Sequence, residues 1–376
     1  MAGAIRAPEL PSGTMSSSRP PLPLSPLDRE DLRQRVQKSL NAFVAGQQHV
    51  LDAVSAELGP LTDALTDLLN GGKRLRPGFC YWGFRGAGGT DSDEVMTAAA
   101  ALELFQACAI VHDDVMDGSD TRRGQPAVHR RFAALHRTEG WSGDPEGFGA
   151  GAAILLGDLA LSWSDQMLSS CGLPADALAR GRSVFEEMRT ELMGGQYLDL
   201  LEQARGGGSV ERALRVARYK SAKYTIEKPL HLGAVLAGAG QDVLNGYSGY
   251  GLPLGEAFQL RDDVLGVFGD PVETGKPSGD DLREGKRTVL VALALESASP
   301  AQSAAVRRHL GDPHLTDHGV TTLRTVICDT GALTRVEQMV SELMADALEA
   351  LEQAPIDDDA REVLHELAIA ATTRSV

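Results

Sequence analysis

Residues 105 to 129 read FQACAIVHDDVMDGSDTRRGQPAVH: an apolar run ends in three carboxylates, Asp113, Asp114 and Asp117, and gives way within five residues to Arg122 and Arg123. In a helix spanning about 94 to 117, Asp113 and Asp117 are i and i+4 and share a face, while Asp114 sits about 100° round. Alone, such a cluster is more often a solvated helix end. Here, however, the carboxylates repel one another and oppose the dipole at a helix C-terminus, so a compensating cation is expected. Hard oxygen ligands at this spacing suit Mg²⁺ held together with a substrate's phosphates.

Two further groups have the same character. Residues 258 to 270, FQLRDDVLGVFGD, set a second acidic pair, Asp262 and Asp263, inside a helical apolar pattern. Behind it, TGKPSGDDLREGKRT carries Lys276, Asp281 and Lys286 among glycines, where a flexible backbone and ammonium groups could close over phosphate oxygens. The alternative there is an ordinary charged loop. The segment GGKRLRP, residues 71 to 77, places Lys73, Arg74 and Arg76 at a helix N-terminus. Free amides and the positive end of the dipole already favour an anion there, and added cations strengthen the site, although a plain basic turn reads the same way.

These groups need a scaffold, and the periodicity supplies one. Apolar residues recur at three- and four-residue intervals, as in Leu51, Val54, Leu58, Leu61 and Leu65, or Leu343, Ala347, Leu348 and Leu351. Glycine-rich breaks separate such stretches, and alternating strands with hairpin turns are hard to find. The expectation is an all-α domain of roughly a dozen helices over residues 27–376. Residues 1–26 contain PSGTMSSSRPPLPLSP and are expected to form a disordered tail.

Composition narrows the ligands. With 36 basic against 52 acidic residues the formal charge is −16, and no dense basic tract offsets it, so no nucleic-acid partner is expected. Cys80, Cys108, Cys171 and Cys328 are far apart and lack metal-site spacing, which suits reduced thiols, most of them packing in the core. The N-terminus has no long apolar signal core and no later run suggests a span, so a cytoplasmic chain without stable membrane insertion is expected.

Taken together and in order, GGKRLRP, DDVMDGSDTRRGQPAVH, GGQYLDL, KSAKYT, FQLRDDVLGVFGD and TGKPSGDDLREGKRT resemble the trans-isoprenyl diphosphate synthases, the polyprenyl synthetase family, over about residues 30 to 372. The resemblance implies the isoprenoid synthase fold, with helices around a central catalytic cavity, usually as a homodimer. It also implies Mg²⁺, three ions per active site, and the joining of an allylic diphosphate to isopentenyl diphosphate. Carried over by position, Asp113, Asp117 and Asp262 resemble the metal ligands, with Asp114 and Asp263 supporting them. Arg122, Lys220 and Lys276 resemble the residues that hold the allylic diphosphate; Lys73, Arg76, Gln106 and Arg123 resemble those that hold isopentenyl diphosphate, with His129 and Lys286 as helpers. Gln196, Ser221, Tyr224, Thr225 and Gln259 fall in motifs near the reacting carbons, though Gln196 and Tyr224 read equally as core groups.

One position departs from the family pattern. Where the second motif often ends in aspartate, this sequence has Gly266, and Asp270 lies two turns beyond Asp263, too far to substitute. In the implied mechanism, metals and cations stabilise charge on the leaving pyrophosphate as the allylic C–O bond ionises. Isopentenyl diphosphate then attacks, and pyrophosphate takes the released proton. A class I terpene cyclase would share the ionisation but has no use for a second diphosphate site, and a noncatalytic partner subunit should have eroded aspartates. Ala109 and Cys108 are small where short-chain members carry bulky stops, and Phe105 lies about 12 Å below Asp113 along the axis. The expected main product is geranylgeranyl diphosphate, with farnesyl or longer products as alternatives.

Overall fold

The computed structural model describes residues 26–270 and 279–372. The expected tail therefore falls outside the described residues, Pro26 excepted, and so does Lys276. The described chain is helical almost throughout; its one sheet is a two-stranded ladder, Thr121–Arg122 with Gln125–Pro126. In chain order the first helices are α1 (Leu32–Val54), α2 (Gly59–Leu69), α3 (Leu75–Gly86), α4 (Asp93–Asp117), α5 (Val128–Thr138), α6 (Pro145–Ser169), α7 (Ala175–Arg205) and α8 (Val210–Val216). A π-helical segment, Ala217–Glu227, leads into α9 (Lys228–Ala237) and α10 (Gln241–Phe268). After these come α11 (Asp280–Glu284), α12 (Val289–Ser297), α13 (Pro300–His309), α14 (Asp317–Asp329), α15 (Ala332–Gln353) and α16 (Asp358–Thr372).

The central rod is α4. Ser92 caps it by accepting a hydrogen bond from the Val95 amide, and Asp93 and Glu94 complement the dipole in its first turn. Its run of alanines, Ala98 to Ala101, is fully buried. Side chains this small let α1, α3 and α6 pack closely on all sides. Leu102, Leu104 and Phe105 follow in the core, each worth about 1.5–3 kcal/mol of burial. Gly118, with φ +67°, closes the helix directly after Asp117.

Two apolar clusters make up the interior. The larger gathers α1 to α7, α9 and α16; the smaller gathers the C-terminal half of α10 with α12, α14 and α15. One helix, α10, gives Leu254 and Phe258 to the first and Leu260 and Val264 to the second. The main cavity opens beside this shared stretch, against the C-terminal end of α4. Of the four cysteines, Cys80, Cys108 and Cys171 are buried and Cys328 is exposed; all are free thiols, as the spacing predicts.

Candidate active site

A cavity of about 830 Å³ is walled by α3, α4, α7, the π segment, α10 and α11. The last two turns of α4 carry the first acidic cluster, of which Asp113 lines the cavity. Asp113 Oδ1 accepts hydrogen bonds from Gln196 Nε2 at 2.9 Å and Lys220 Nζ at 3.0 Å. Burial by itself would raise the Asp113 pKa, but Lys220, Lys286 and Arg122 outweigh it and hold the group well below the usual carboxylate range. Asp117 has the opposite balance. Its side chain is 1% exposed, neither oxygen accepts a hydrogen bond, and the nearest cation is Lys286 Nζ at 3.6 Å. Burial, followed by repulsion from Asp113, pushes its pKa up to about 6.

Asp114 points elsewhere. It is 1% exposed, and its Oδ1 accepts from both Nε (3.0 Å) and Nη2 of Arg122. The ion pair raises the Arg122 pKa against the burial that lowers it, so the guanidinium is fixed in place and charged. Arg122 then lies 3.7 Å from Asp113 Oδ2. The residues that turn the chain here are Arg123 and Gly124, with φ +53° and +73°, between the paired Arg122 and Gln125. Two successive positive φ values are what a two-residue hairpin needs, and an arginine is rarely used for one. That strained backbone aims Arg123 at the cation group of α3, where its Nη1 donates to the Leu68 carbonyl at 3.2 Å. Burial, and then the neighbouring Arg74, Arg122 and Arg76, lower its pKa against the nearby Glu103, which raises it.

At the head of α3, Arg74 and Arg76 divide the work. Arg74 is 4% exposed and is bound by Glu103, Gln37 and the Leu69 carbonyl, so it braces the loop rather than meeting a ligand. Arg76 lies 4.1 Å above the Tyr224 ring and donates to Thr225 Oγ1 at 2.8 Å, while its Nε has no partner. Lys73 is exposed at the cavity edge. The π segment delivers Lys220, Ser221, Tyr224 and Thr225 to the same cavity, an arrangement common where such helices occur. It is gripped from both sides: a Cβ on Gly195 of α7 would lie 2.4 Å from the Lys220 amide, and one on Gly255 of α10 would lie 2.7 Å from the Ala222 backbone.

Across the cavity, Asp262 and Gln259 line the wall of α10, and Gln259 Nε2 donates to Asp263 Oδ1 at 2.6 Å. Burial, then the nearby Asp281, pushes the Asp263 pKa up to about 8. Lys286 links the two acidic clusters, lying 2.7 Å from Glu284, 3.4 Å from Asp281 and 3.6 Å from Asp117. These carboxylates raise its pKa against the burial that lowers it.

Most residues singled out in the sequence thus converge. Lys73, Arg76, Gln106, Ala109, Asp113, Arg122, Arg123, Gln196, Lys220, Ser221, Tyr224, Thr225, Gln259, Asp262, Asp263 and Lys286 all line one cavity. Five others stand back from it, Asp117 among them, its buried carboxylate facing Lys286. Asp114 anchors Arg122, and His129 is buried on α5, its pKa lowered chiefly by burial. Cys108 lies 3.7 Å from His112 Nδ1, and Phe105 is fully buried edge-on against Phe185 and Tyr224. Sequence reasoning passed over Asp199, which holds Lys220 Nζ at 2.6 Å, and Glu284, which accepts from Ser119 Oγ at 2.6 Å and pairs with Lys286. It also passed over Glu103, the partner of Arg74. Spacing carries the missing signal in two cases: Asp199 is three residues after Gln196 and Glu103 three before Gln106, on helix faces already assigned to the cavity.

The pattern of the polyprenyl synthetase family matches residues 59–325. The chain belongs to that family. It is an isoprenyl diphosphate synthase, a prenyl-transferring enzyme. The synthase is 31% identical over 326 residues to a geranylfarnesyl diphosphate synthase of Aeropyrum pernix, covering 84% of this chain and 95% of that one. It is 32% identical over 293 residues to a geranylgeranyl diphosphate synthase of Mycobacterium tuberculosis, covering 78% of each. In three dimensions it superposes with a TM-score of 0.90 on a geranylgeranyl pyrophosphate synthase of Corynebacterium glutamicum, solved with isoprenyl diphosphate and magnesium. That chain is 44% identical, with 93% of this chain and 100% of the other covered. The isoprenoid synthase fold expected from the sequence is the fold observed.

Proposed function

We propose that the synthase condenses isopentenyl diphosphate with an allylic diphosphate, using Mg²⁺, and that its main product is geranylgeranyl diphosphate. The observation that carries the metal is Asp117: one turn after the cavity-lining Asp113, its two buried carboxylate oxygens have no hydrogen bond and suit a hard cation better than they suit the protein alone. Among the described residues no closed cage of metal ligands forms. Mg²⁺ typically keeps an open shell that diphosphate oxygens and water complete. Asp113 and Asp117 on α4 and Asp262 on α10 would hold it, and a solved relative is complexed with isoprenyl diphosphate and magnesium. When bound, the metal would neutralise charge that builds up on the departing pyrophosphate.

The protein's own groups account for the rest. Arg122, kept rigid by Asp114, and Lys220, kept charged by Asp113 and Asp199, donate to the allylic diphosphate as its C–O bond breaks. Lys276 lies outside the described residues and keeps the same role as an expectation. Lys73, Arg76 and Arg123, which line the same cavity, hold isopentenyl diphosphate so that its double bond faces the forming cation. The Tyr224 face, already under the Arg76 guanidinium, and the Gln196 amide border that path.

Product length follows from α4. Ala109, one turn below Asp113, lines the cavity, so the growing chain can pass it. Phe105, backed by Phe185, is the first bulky ring below. Cys108, turned toward His112, has no part in the path. Incubation with Mg²⁺, isopentenyl diphosphate and each of the three allylic primers, read by mass spectrometry, should give C20 product. Ala109→Phe should shorten it and Phe105→Ala lengthen it. Unchanged lengths in a folded, active Ala109→Phe protein would rule out this path.

We further propose a homodimer, supported by the exposed apolar face of α6. Phe148, Ile154 and Leu155 are 40–61% exposed on a helix long and apolar enough to span a membrane, and Asp158, 62% exposed, sits near its middle. An exposed aspartate at mid-helix suits a second copy better than lipid.

A further inference from the structure

Gly266 stands four residues after Asp262 and three after Asp263 on α10, on the face that lines the cavity. A Cβ built at Gly266 would lie 1.8 Å from Asp281 Oδ2 and 2.6 Å from Asp281 Cγ. Both distances are far inside van der Waals contact. The Asp281 carboxyl therefore occupies the space in which a side chain at 266 would begin, arriving from the first turn of α11 rather than from α10. It lines the cavity, its side chain is 14% exposed, and its Oδ1 lies 3.4 Å from Lys286 Nζ. The Lys286 amide donates to the Asp281 carbonyl at 3.0 Å, so the backbone fixes both side chains in one turn. Lys286 Nζ in turn reaches Asp117, whose buried oxygens are otherwise unpartnered.

We propose that Asp281 is the third carboxylate of the second acidic cluster, supplied by α11 onto the glycine of α10, and that with Asp262 it holds the divalent cation and diphosphate on that side of the cavity. This rests on the metal-diphosphate reading above. It accounts for an otherwise unhelpful glycine near the end of a 28-residue helix, where alanine would normally be preferred. It also explains why the departure at Gly266 leaves the site acidic: the charge is kept and only its source in the chain changes.

The test exchanges the two residues in the full-length chain and follows Mn²⁺ binding by electron paramagnetic resonance, with inorganic pyrophosphate as the phosphate probe, alongside Tm. Gly266→Ala alone should lower Tm, and adding Asp281→Gly should restore it, because the clash is relieved. Asp281→Gly and the shape-conserving Asp281→Asn should each weaken Mn²⁺ binding by about tenfold or more. Gly266→Asp combined with Asp281→Gly should recover most of that loss, whereas Gly266→Ala combined with Asp281→Gly should not. Wild-type Mn²⁺ affinity in both Asp281 variants, or equal binding by the two double variants, overturns the proposal. A wild-type protein that binds no Mn²⁺ with pyrophosphate overturns the metal-diphosphate reading itself, and is distinguished because it appears before any variant is compared.

Discussion

If Asp117 holds Mg²⁺ as proposed, lowering the pH from about 7 to about 5 should cost the protein most of its affinity for the metal. Burial and the nearby Asp113 push the Asp117 pKa up to about 6, so its carboxylate is mostly ionised at neutral pH and mostly protonated at pH 5. A metal ligand must shed its proton to bind, so affinity should fall about tenfold across this window, or about 1.4 kcal/mol. The sign for the metal-free protein is opposite. An acid whose folded pKa exceeds its unfolded value binds more protons when folded, so its contribution is present below about pH 4 and lost as pH rises through 6. A shift of about two units corresponds to about 3 kcal/mol. Mg²⁺ should therefore stabilise the protein little at pH 5 and strongly at pH 7.5. Calorimetric titration and thermal melts with and without Mg²⁺ at both pH values provide the assay, with Asp117→Asn as the control that should flatten the dependence. An Mg²⁺ affinity equal at pH 5 and 7, or a pH dependence that survives in Asp117→Asn, would refute this reasoning.

Three further outcomes follow from the same geometry. Lys73→Ala and Arg123→Ala should raise the KM for isopentenyl diphosphate by the equivalent of about 1.5–3 kcal/mol each and leave the allylic KM nearly unchanged; equal effects on both substrates would contradict the separation of the two sites. Arg74→Ala should destabilise the fold by about 3–5 kcal/mol, seen as a lower urea midpoint, because it leaves Glu103 buried and unpaired. An unchanged midpoint would mean the pair is not the brace it resembles. Leu155→Glu on the exposed face of α6 should convert a dimer to a monomer in sedimentation, and a persistent dimer would place the interface elsewhere.

The sequence made the helical fold and most of the site legible because both depend on short-range spacing. Asp113 and Asp117 share a face by helical geometry alone, and the positive cost of placing them at a C-terminus already called for cations. What stayed hidden depended on pairing at long range. Nothing local shows that Arg74 turns inward to Glu103 while Arg76, two residues on, faces the cavity. Nor does spacing reveal that Asp114 is taken up by Arg122, or that Asp113 lines the cavity while Asp117 is buried beside Lys286. The π character of Ala217–Glu227 was equally hidden, since its sequence passes for ordinary helix.

That segment bears on how the protein tolerates changes in chain length. An i→i+5 ladder accommodates residues that an α-helix of the same span would have no room for. Deleting one residue between 217 and 227 would be absorbed by relaxation toward α-helix, which keeps the flanking helices in phase and the core largely intact, yet residues inside the segment would change their positions around the axis. Lys220 and Tyr224 could then no longer face the cavity together. Insertions and deletions are usually harmless in loops and ruinous in helices; here a one-residue deletion would leave a folded protein with a scrambled site. Among related chains, the length of this stretch is therefore a marker of activity that comparison of side chains alone would miss.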